Sequence, residues 1–149
     1  MATTITLPEG APEEVVTQAL LRDVDLRPFG IDGTLALITL DNGLDHTRPN
    51  TLGAQSVLAI DAAITEALSR SPKALAITGK PFIFAAGADL SGLAFLTQRE
   101  QALEIGRLGH RVFKRLSTAG VPTFPFRSLH SITPKTSCPP RRPRITTSN

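Results

Sequence analysis

Residues 74–90 read ALAITGKPFIFAAGADL, and this stretch decides the fold of the chain. Its first residues, 74–78, are almost all apolar and predict a buried β-strand. A Gly-Lys-Pro turn follows, and then a loop of small residues at 84–90. Small residues let a ligand approach the backbone closely, and a helix that begins just beyond aims free N–H groups at it. The pattern predicts a site for an oxygen that carries negative charge, with an ordinary tight turn as the alternative.

The residues before this stretch predict a hairpin followed by a helix. Two strands, at 26–29 and 33–40, flank the turn signal Gly30-Ile31-Asp32-Gly33, and a short helix over 12–21 precedes them. Asn50 is the expected N-cap of a helix that ends near Arg70. The spacing of its apolar residues predicts one buried stripe. That stripe consists of Val57, Ile60, Ile64 and Ala67.

The residues after the stretch predict two helices and a strand. A short helix is expected over 90–95, a longer one over 99–116, and a strand over 121–126, with Gly120 as the helix stop. The apolar stripe of the longer helix consists of Ala102, Ile105, Leu108 and Val112. The order strand, helix, strand predicts a right-handed crossover within one sheet, so the fold class is α/β.

Charge is distributed unevenly along the 149 residues. Residues 1–104 carry all 13 acidic and 7 of the 16 basic residues, whereas residues 105–149 carry nine basic residues and no acid. From residue 125 onward the chain is rich in Pro, Ser, Thr and Arg and has no apolar periodicity. We therefore expect a polar segment at 1–22, one domain at 23–124 and a disordered basic tail at 125–149.

Several classes of function are disfavoured by composition. The single Cys138 has no partner for an internal disulfide, and no metal-ligand spacing surrounds it or the three histidines, so no metal site is expected. Neither a signal peptide nor an 18-residue apolar window is present, which predicts a cytoplasmic protein without a membrane span. The arginines of the tail invite a nucleic-acid interpretation, but they lack interleaved aromatic residues and a folded reader module.

Taken in order, these segments resemble the N-terminal half of the enoyl-CoA hydratase/isomerase (crotonase) superfamily. The resemblance covers roughly residues 35–123 and is carried by four motifs. These are TLALITLD at 34–41, Asn50-Thr51-Leu52, ALAITG with FAAGADL at 74–90, and Gly120-Val121-Pro122-Thr123. The segments are similar to the hydratase domains that begin multifunctional fatty-acid oxidation proteins, in which a 3-hydroxyacyl-CoA dehydrogenase follows. The resemblance implies a partial crotonase-like ββα spiral.

The resemblance also implies roles for the loop residues. The backbone N–H of Ala88 would be one of two donors to the oxyanion that forms on a thioester. Ala86 would lie along the adenine of coenzyme A, and Gly87 would let the substrate approach the backbone. Asp89 and Leu90 would begin the helix beside the acyl pocket.

The implied partner is an acyl-CoA thioester, with coenzyme A as part of the substrate and no separate cofactor. Arg48, in the loop 45–50, would approach a phosphate of that substrate, and a solvated surface charge is the alternative. Family members are commonly homotrimers, a state that this sequence does not by itself predict.

The sequence departs from the family after Thr123. There the family has a Gly-rich segment that supplies the second oxyanion donor, and two glutamates that handle the water, but residues 124–149 contain neither Gly nor Glu. Loss of one donor costs about 3 kcal/mol in the transition state, and loss of acid–base groups roughly 10²–10⁴-fold. We expect an inactive fragment of an enoyl-CoA hydratase/isomerase, a lyase of fatty-acid β-oxidation. A non-catalytic acyl-CoA-binding pseudoenzyme and a basic-tail interaction protein are the alternatives.

Overall fold

A computed structural model describes residues 10–81, 83–92, 95–96 and 99–125 of the chain. Its strands are β1 (Gln18–Asp25), β2 (Thr34–Asp41), β3 (Thr51–Leu52), β4 (Ala74–Gly79), β5 (Gly87–Ala88) and β6 (Thr123–Pro125). Its helices are α1 (Ala54–Ser69) and α2 (Arg99–Ser117). The tail expected at 125–149 lies outside the described residues, apart from Pro125 at the end of β6. No helix in the described ranges is long and apolar enough to cross a membrane.

Four of the strands form one sheet in the order β1-β2-β4-β6. β1 pairs antiparallel with β2, whereas β4 lies parallel to β2 on one side and to β6 on the other. The predicted connection of two parallel strands through α1 is therefore confirmed. β3 and β5 form a separate parallel pair, outside the main sheet.

One hydrophobic core joins the sheet to the two helices. The four residues predicted as the stripe of α1 are all buried in it. β2 contributes Ala36, Ile38 and Leu40 to the same core, and β4 contributes Leu75 and Ile77. Each fully buried aliphatic side chain contributes roughly 1.5–3 kcal/mol relative to exposure. The core therefore fixes β2, α1 and β4 as one unit and so sets where their ends lie.

The stripe predicted for α2 is only half correct. Leu108 and Val112 are buried in the core, but Ile105 is half-buried and Ala102 is exposed. Polar contacts add to this packing between α2 and α1. Arg115 donates to the side chain of Asp61 and, at 3.0 Å, to Oγ1 of Thr65. α2 is therefore held to α1 mainly through its C-terminal half.

The first strand of the hairpin lies earlier than predicted. Residues 18–25 form β1, and residues 27–29, expected in a strand, form a 3₁₀ turn in the connection to β2. The expected helix over 12–21 is wrong for the same reason, since pairing with β2 along the whole of β1 overrides a weak local helical pattern. The sheet thus begins at Gln18, within the segment expected to precede the domain.

Candidate functional site

Two loops meet where the parallel strands end. The first, 42–50, follows β2, and the second, 80–86, follows β4 and leads into β5. The carboxyl ends of neighbouring parallel strands lie at the same edge of a sheet, which is where open α/β sheets bind ligands. The small-residue loop predicted from the sequence therefore lies at the favoured edge.

Asn50 joins the two loops through its side chain. It is fully buried, and its Nδ2 donates to the carbonyl oxygens of Leu40 at 2.9 Å and Phe84 at 3.0 Å. Its Oδ1 accepts the backbone N–H of Asn42 at 3.0 Å. The prediction that Asn50 is the N-cap of α1 is wrong, because the helix begins at Ala54 with Gly53 as the N-cap. Its amide serves the loops instead.

Lys80 holds the first loop through its buried ammonium group. Only 6% of this residue is exposed, and its Nζ donates to the carbonyl oxygens of Leu44 at 3.0 Å and Asp45 at 2.9 Å, as well as to Oδ1 of Asn42. An ammonium group has three donors and here has three acceptors. The charge is therefore stabilised by oxygen dipoles rather than by a carboxylate, and the loop 42–50 is fixed at its centre.

Gly79 allows the second loop to return close to its own strand. A Cβ atom at this position would lie 2.4 Å from the carbonyl oxygens of both Ile83 and Phe84. Real Cβ atoms do not approach backbone atoms so closely, so any larger residue would push the loop outward. The close return brings the carbonyl of Phe84 within reach of Asn50.

β5 is a short, exposed strand pinned to β3. Gly87 lies opposite Thr51 and Ala88 opposite Leu52. The N–H of Ala86 donates to the carbonyl of Asn50 at 2.8 Å, and that of Asp89 donates to Leu52 at 3.1 Å. Gly87 has a φ of +123°, a conformation that L side chains rarely adopt. Of the predicted site residues, Ala86, Gly87, Ala88 and Leu90 are exposed and Asp89 is half-buried.

Of the helix expected over 90–95, the described residues show a turn at 91–92 and a 3₁₀ conformation at Phe95, whose N–H donates to the carbonyl of Gly92 at 3.1 Å. The N–H of Ser91 donates to Oδ1 of Asp89 at 2.9 Å, the bond that an N-cap side chain makes to the second residue after it. The N–H of Ser91 is therefore occupied by the Asp89 side chain. The N–H groups of Ala86 and Asp89 hold the loop through their bonds to Asn50 and Leu52. The candidate donors to a ligand are therefore the backbone N–H groups of β5.

A small cavity lies beside β5 at the start of α1. It measures about 40 Å³ and its lining includes Glu14, Gly53, Asp89 and Ile105. The carboxylate of Glu14 accepts the N–H groups of Gln55 and Ser56, each at 2.9 Å. Glu14 thereby caps α1 from a segment distant in sequence, a role that sequence reasoning missed because no local motif marks it.

Arg48, predicted to approach a phosphate, lies exposed in the first loop. Its N–H donates to the carbonyl of Asp45 at 3.2 Å. The hydroxyl of Thr47 donates to the Asp45 carboxylate, and its backbone N–H donates to the same group at 2.7 Å. These two bonds, the hydroxyl's first, hold the pKa of Asp45 below its usual range. Arg48 thus projects from an ordered turn, well apart from the interior of the sheet.

Comparison with known proteins gives a consistent picture. No protein-family model matches the chain. The solved structure of the probable enoyl-CoA hydratase EchA3 from Mycobacterium tuberculosis matches 72% of this chain with a TM-score of 0.58 and 27% identity, and the match covers 40% of that protein. DspI of Pseudomonas aeruginosa matches 80% of this chain at 22% identity and a TM-score of 0.57, covering 44% of DspI. An enoyl-CoA hydratase from Thermoplasma volcanium matches 75% of this chain at 18% identity and a TM-score of 0.58, covering 40% of that enzyme.

These matches settle the fold. The described part of the chain has a partial crotonase-like fold. The chain spans about two fifths of their length, as the coverage of 40% of EchA3 shows. The predicted α/β class and the resemblance to the superfamily are therefore confirmed.

Proposed function

We propose that this crotonase-like chain binds an acyl-CoA thioester and that the backbone N–H of Ala88 donates to the thioester oxygen. The observation that carries the proposal is the position of β5. It is an exposed strand of two small residues, pinned to β3 beside the carboxyl ends of β2 and β4. A thioester laid against β5 would meet backbone rather than side chains.

The hydrogen bonds around β5 favour Ala88 as the donor. Successive N–H groups of an extended strand point to opposite sides, and that of Asp89 points to the carbonyl of Leu52. We infer from this bond of the adjoining Asp89 that the N–H of Ala88 is directed away from β3; the bond from Ala86 to Asn50 precedes Gly87, whose positive φ interrupts the alternation. A donor held in this way stabilises charge on an oxygen without reorganising as the charge develops.

The comparison supports the substrate class. At 27% identity, this chain matches two structures of one Mycobacterium tuberculosis protein, described in one as an enoyl-CoA isomerase and in the other as a probable enoyl-CoA hydratase. We propose that the chain corresponds to part of such an enzyme, acting in fatty-acid β-oxidation. The whole reaction adds water across the double bond of a 2-enoyl-CoA, with the hydroxyl going to Cβ and the proton to Cα.

We propose that the 149-residue chain binds this substrate without hydrating it. Hydration needs groups that deliver and remove protons, and residues 124–149, where the resemblance places two glutamates, contain no Asp or Glu. The remaining loop residues have supporting roles in this proposal. Ala86 and Gly87 would lie along the coenzyme, Asp89 and Leu90 beside the acyl group, and Arg48 near a phosphate.

Calorimetric titration with crotonyl-CoA and with free CoA tests the proposal. We expect crotonyl-CoA to bind about tenfold more tightly, a difference at the upper end of what one additional hydrogen bond to a carbonyl oxygen supplies. Equal binding of both would contradict the role of Ala88. Weak, salt-sensitive binding of any polyanion in place of CoA would support the basic-tail alternative instead.

A pair of glycine variants makes the test specific to β5. Both Gly87 and Gly30 have positive φ, and an added Cβ would meet no atom within 4 Å at either. Gly87→Ala would therefore strain the backbone next to Ala88, whereas Gly30→Ala places a Cβ on a left-handed backbone at a remote turn, with milder strain. We expect only Gly87→Ala to remove the preference for crotonyl-CoA.

A further inference from the structure

We propose that Asn50 is a positioning residue that couples the loop 42–50 to the loop that carries Ala88, an inference that rests on the proposed role of Ala88. In this arrangement the side-chain amide does not contact the substrate. It fixes the distance between the loop that holds Arg48 and the strand that would hold the thioester oxygen.

The first step of the argument is that the Asn50 amide is fully used. Both Nδ2 hydrogens have carbonyl acceptors, one on Leu40 at the end of β2 and one on Phe84 in the second loop. Oδ1 accepts from Asn42 in the first loop. One side chain thus satisfies three backbone groups from three segments, and the residue has no exposed surface.

The second step is that the backbone of Asn50 acts on the same loop. Its carbonyl accepts the N–H of Ala86 at 2.8 Å, directly before β5. Asn50 therefore holds the second loop at two points, Phe84 through its side chain and Ala86 through its backbone. Ala88 follows two residues later, so its position depends on both anchors.

The third step extends the network into the first loop. Asn42, whose N–H reaches Asn50, also donates from Nδ2 to the carbonyl of Pro49 at 3.0 Å. Its Oδ1 accepts from Lys80, which also holds Leu44 and Asp45. The series Lys80, Asn42, Asn50 and Phe84 is continuous. Contact of a ligand with either loop is thereby transmitted to the other through Asn50.

Variants of Asn50 separate positioning from general stability. Asn50→Asp keeps the shape and can still accept from Asn42, but it cannot donate to Leu40 or Phe84 and places negative charge against both carbonyls. Asn50→Ala removes all three side-chain bonds. Ile64→Ala is the matched control, because Ile64 is fully buried in α1 and takes no part in the network.

Two readouts are compared in the full 149-residue chain: amide hydrogen exchange at Ala86 relative to Ile77 in β4, and the ratio of the dissociation constants of CoA and crotonyl-CoA. In both Asn50 variants we expect exchange at Ala86 to rise on the order of tenfold more than at Ile77, since a buried bond is lost locally. We also expect the ratio to fall to about one. Ile64→Ala should accelerate exchange at both amides to the same extent and leave the ratio of dissociation constants unchanged.

The outcomes distinguish this inference from the proposed function. If Ala86 exchange follows Ile77 in the Asn50 variants, or if the ratio stays at the wild-type value, Asn50 does not position the loop and the inference is overturned. If the unaltered chain shows no preference for crotonyl-CoA, the proposed role of Ala88 fails. The exchange measurement then decides alone whether Asn50 couples the two loops.

Discussion

The side-chain amide of Asn50 donates to the backbone carbonyl of Phe84 at 3.0 Å, across 34 positions of sequence. This bond brings the small-residue loop against the end of β2 and so beside the loop that carries Arg48. The candidate site is therefore assembled by buried polar contacts between distant segments, on a sheet whose core fixes the strand ends.

Replacement of Gly79 by alanine tests the close return of the second loop. The added Cβ would lie 2.4 Å from two carbonyl oxygens, so the backbone must shift, and we expect a loss of about 1–3 kcal/mol in the free energy of unfolding. Urea denaturation followed by circular dichroism measures it. Gly106→Ala in α2 is the control, since no atom lies within 4 Å there and helix propensity predicts a gain of roughly 0.5–1 kcal/mol. Equal effects of the two variants would show that the loop is not packed as described.

Lys80→Met tests the polar support of the first loop. The methionine side chain occupies the space of the buried lysine stem but leaves three oxygen acceptors without their donor. We therefore expect a loss of about 2 kcal/mol in the free energy of unfolding. Lys73→Met alters an exposed lysine and should change it by less than about 0.5 kcal/mol. Limited proteolysis within 42–50 should accelerate in Lys80→Met alone. Unchanged cleavage there would mean that Lys80 does not anchor the loop.

Glu14→Gln tests the cap of α1. The amide cannot accept from Gln55, Ser56 and the Ser56 hydroxyl as the carboxylate does, and it loses the favourable charge at the helix N-terminus. We expect a loss of about 1 kcal/mol in stability, the usual contribution of a cap. Glu13→Gln, at an exposed neighbouring position, should have no measurable effect in the same thermal denaturation experiment. A similar loss in both variants would point to net charge rather than capping.

The pKa of Asp45 should respond to Thr47. The Thr47 hydroxyl is the largest cause that lowers this pKa, so Thr47→Val should raise it toward its ordinary value. Since the folded state lowers the pKa, these hydrogen bonds stabilise the turn above the pKa of the unfolded chain. Their contribution is lost as pH falls through the folded value. Carboxyl ¹³C shifts over an acid titration measure the change.

Asp25 provides the internal control for that titration. Its pKa is lowered by the side chain of Arg27 and not by Thr47, so it should not change in Thr47→Val. Movement of both pKa values would indicate a global change in the structure, and movement of neither would remove Thr47 as the cause.

The long apolar elements could be predicted from sequence because their signal is local. β2, α1 with its stripe, β4 and the extent of α2 all follow from runs or periods of apolar residues. β1 could not, since its sequence QALLRDVD alternates exposed and half-buried residues and becomes a strand only by pairing with β2. With so many exposed positions, β1 carries too little hydrophobic signal by itself.

The site was predictable in part for the same reason. Small residues marked the loop 84–90, but the partners of Asn50 and Lys80 lie 8 to 38 positions away in sequence. A polar residue in a loop is usually solvated, and nothing local shows that it is buried among carbonyl groups.

The amide resonance of Ala88 gives the most direct test of the central claim. In a ¹H–¹⁵N titration of the 149-residue chain, crotonyl-CoA should move the Ala88 amide proton strongly downfield, because its N–H would then donate to the thioester oxygen. Free CoA, which lacks that oxygen, should leave the Ala88 resonance in place while it perturbs other residues of the site. If crotonyl-CoA binds and the Ala88 resonance does not move, or moves equally with both compounds, Ala88 is not the thioester donor.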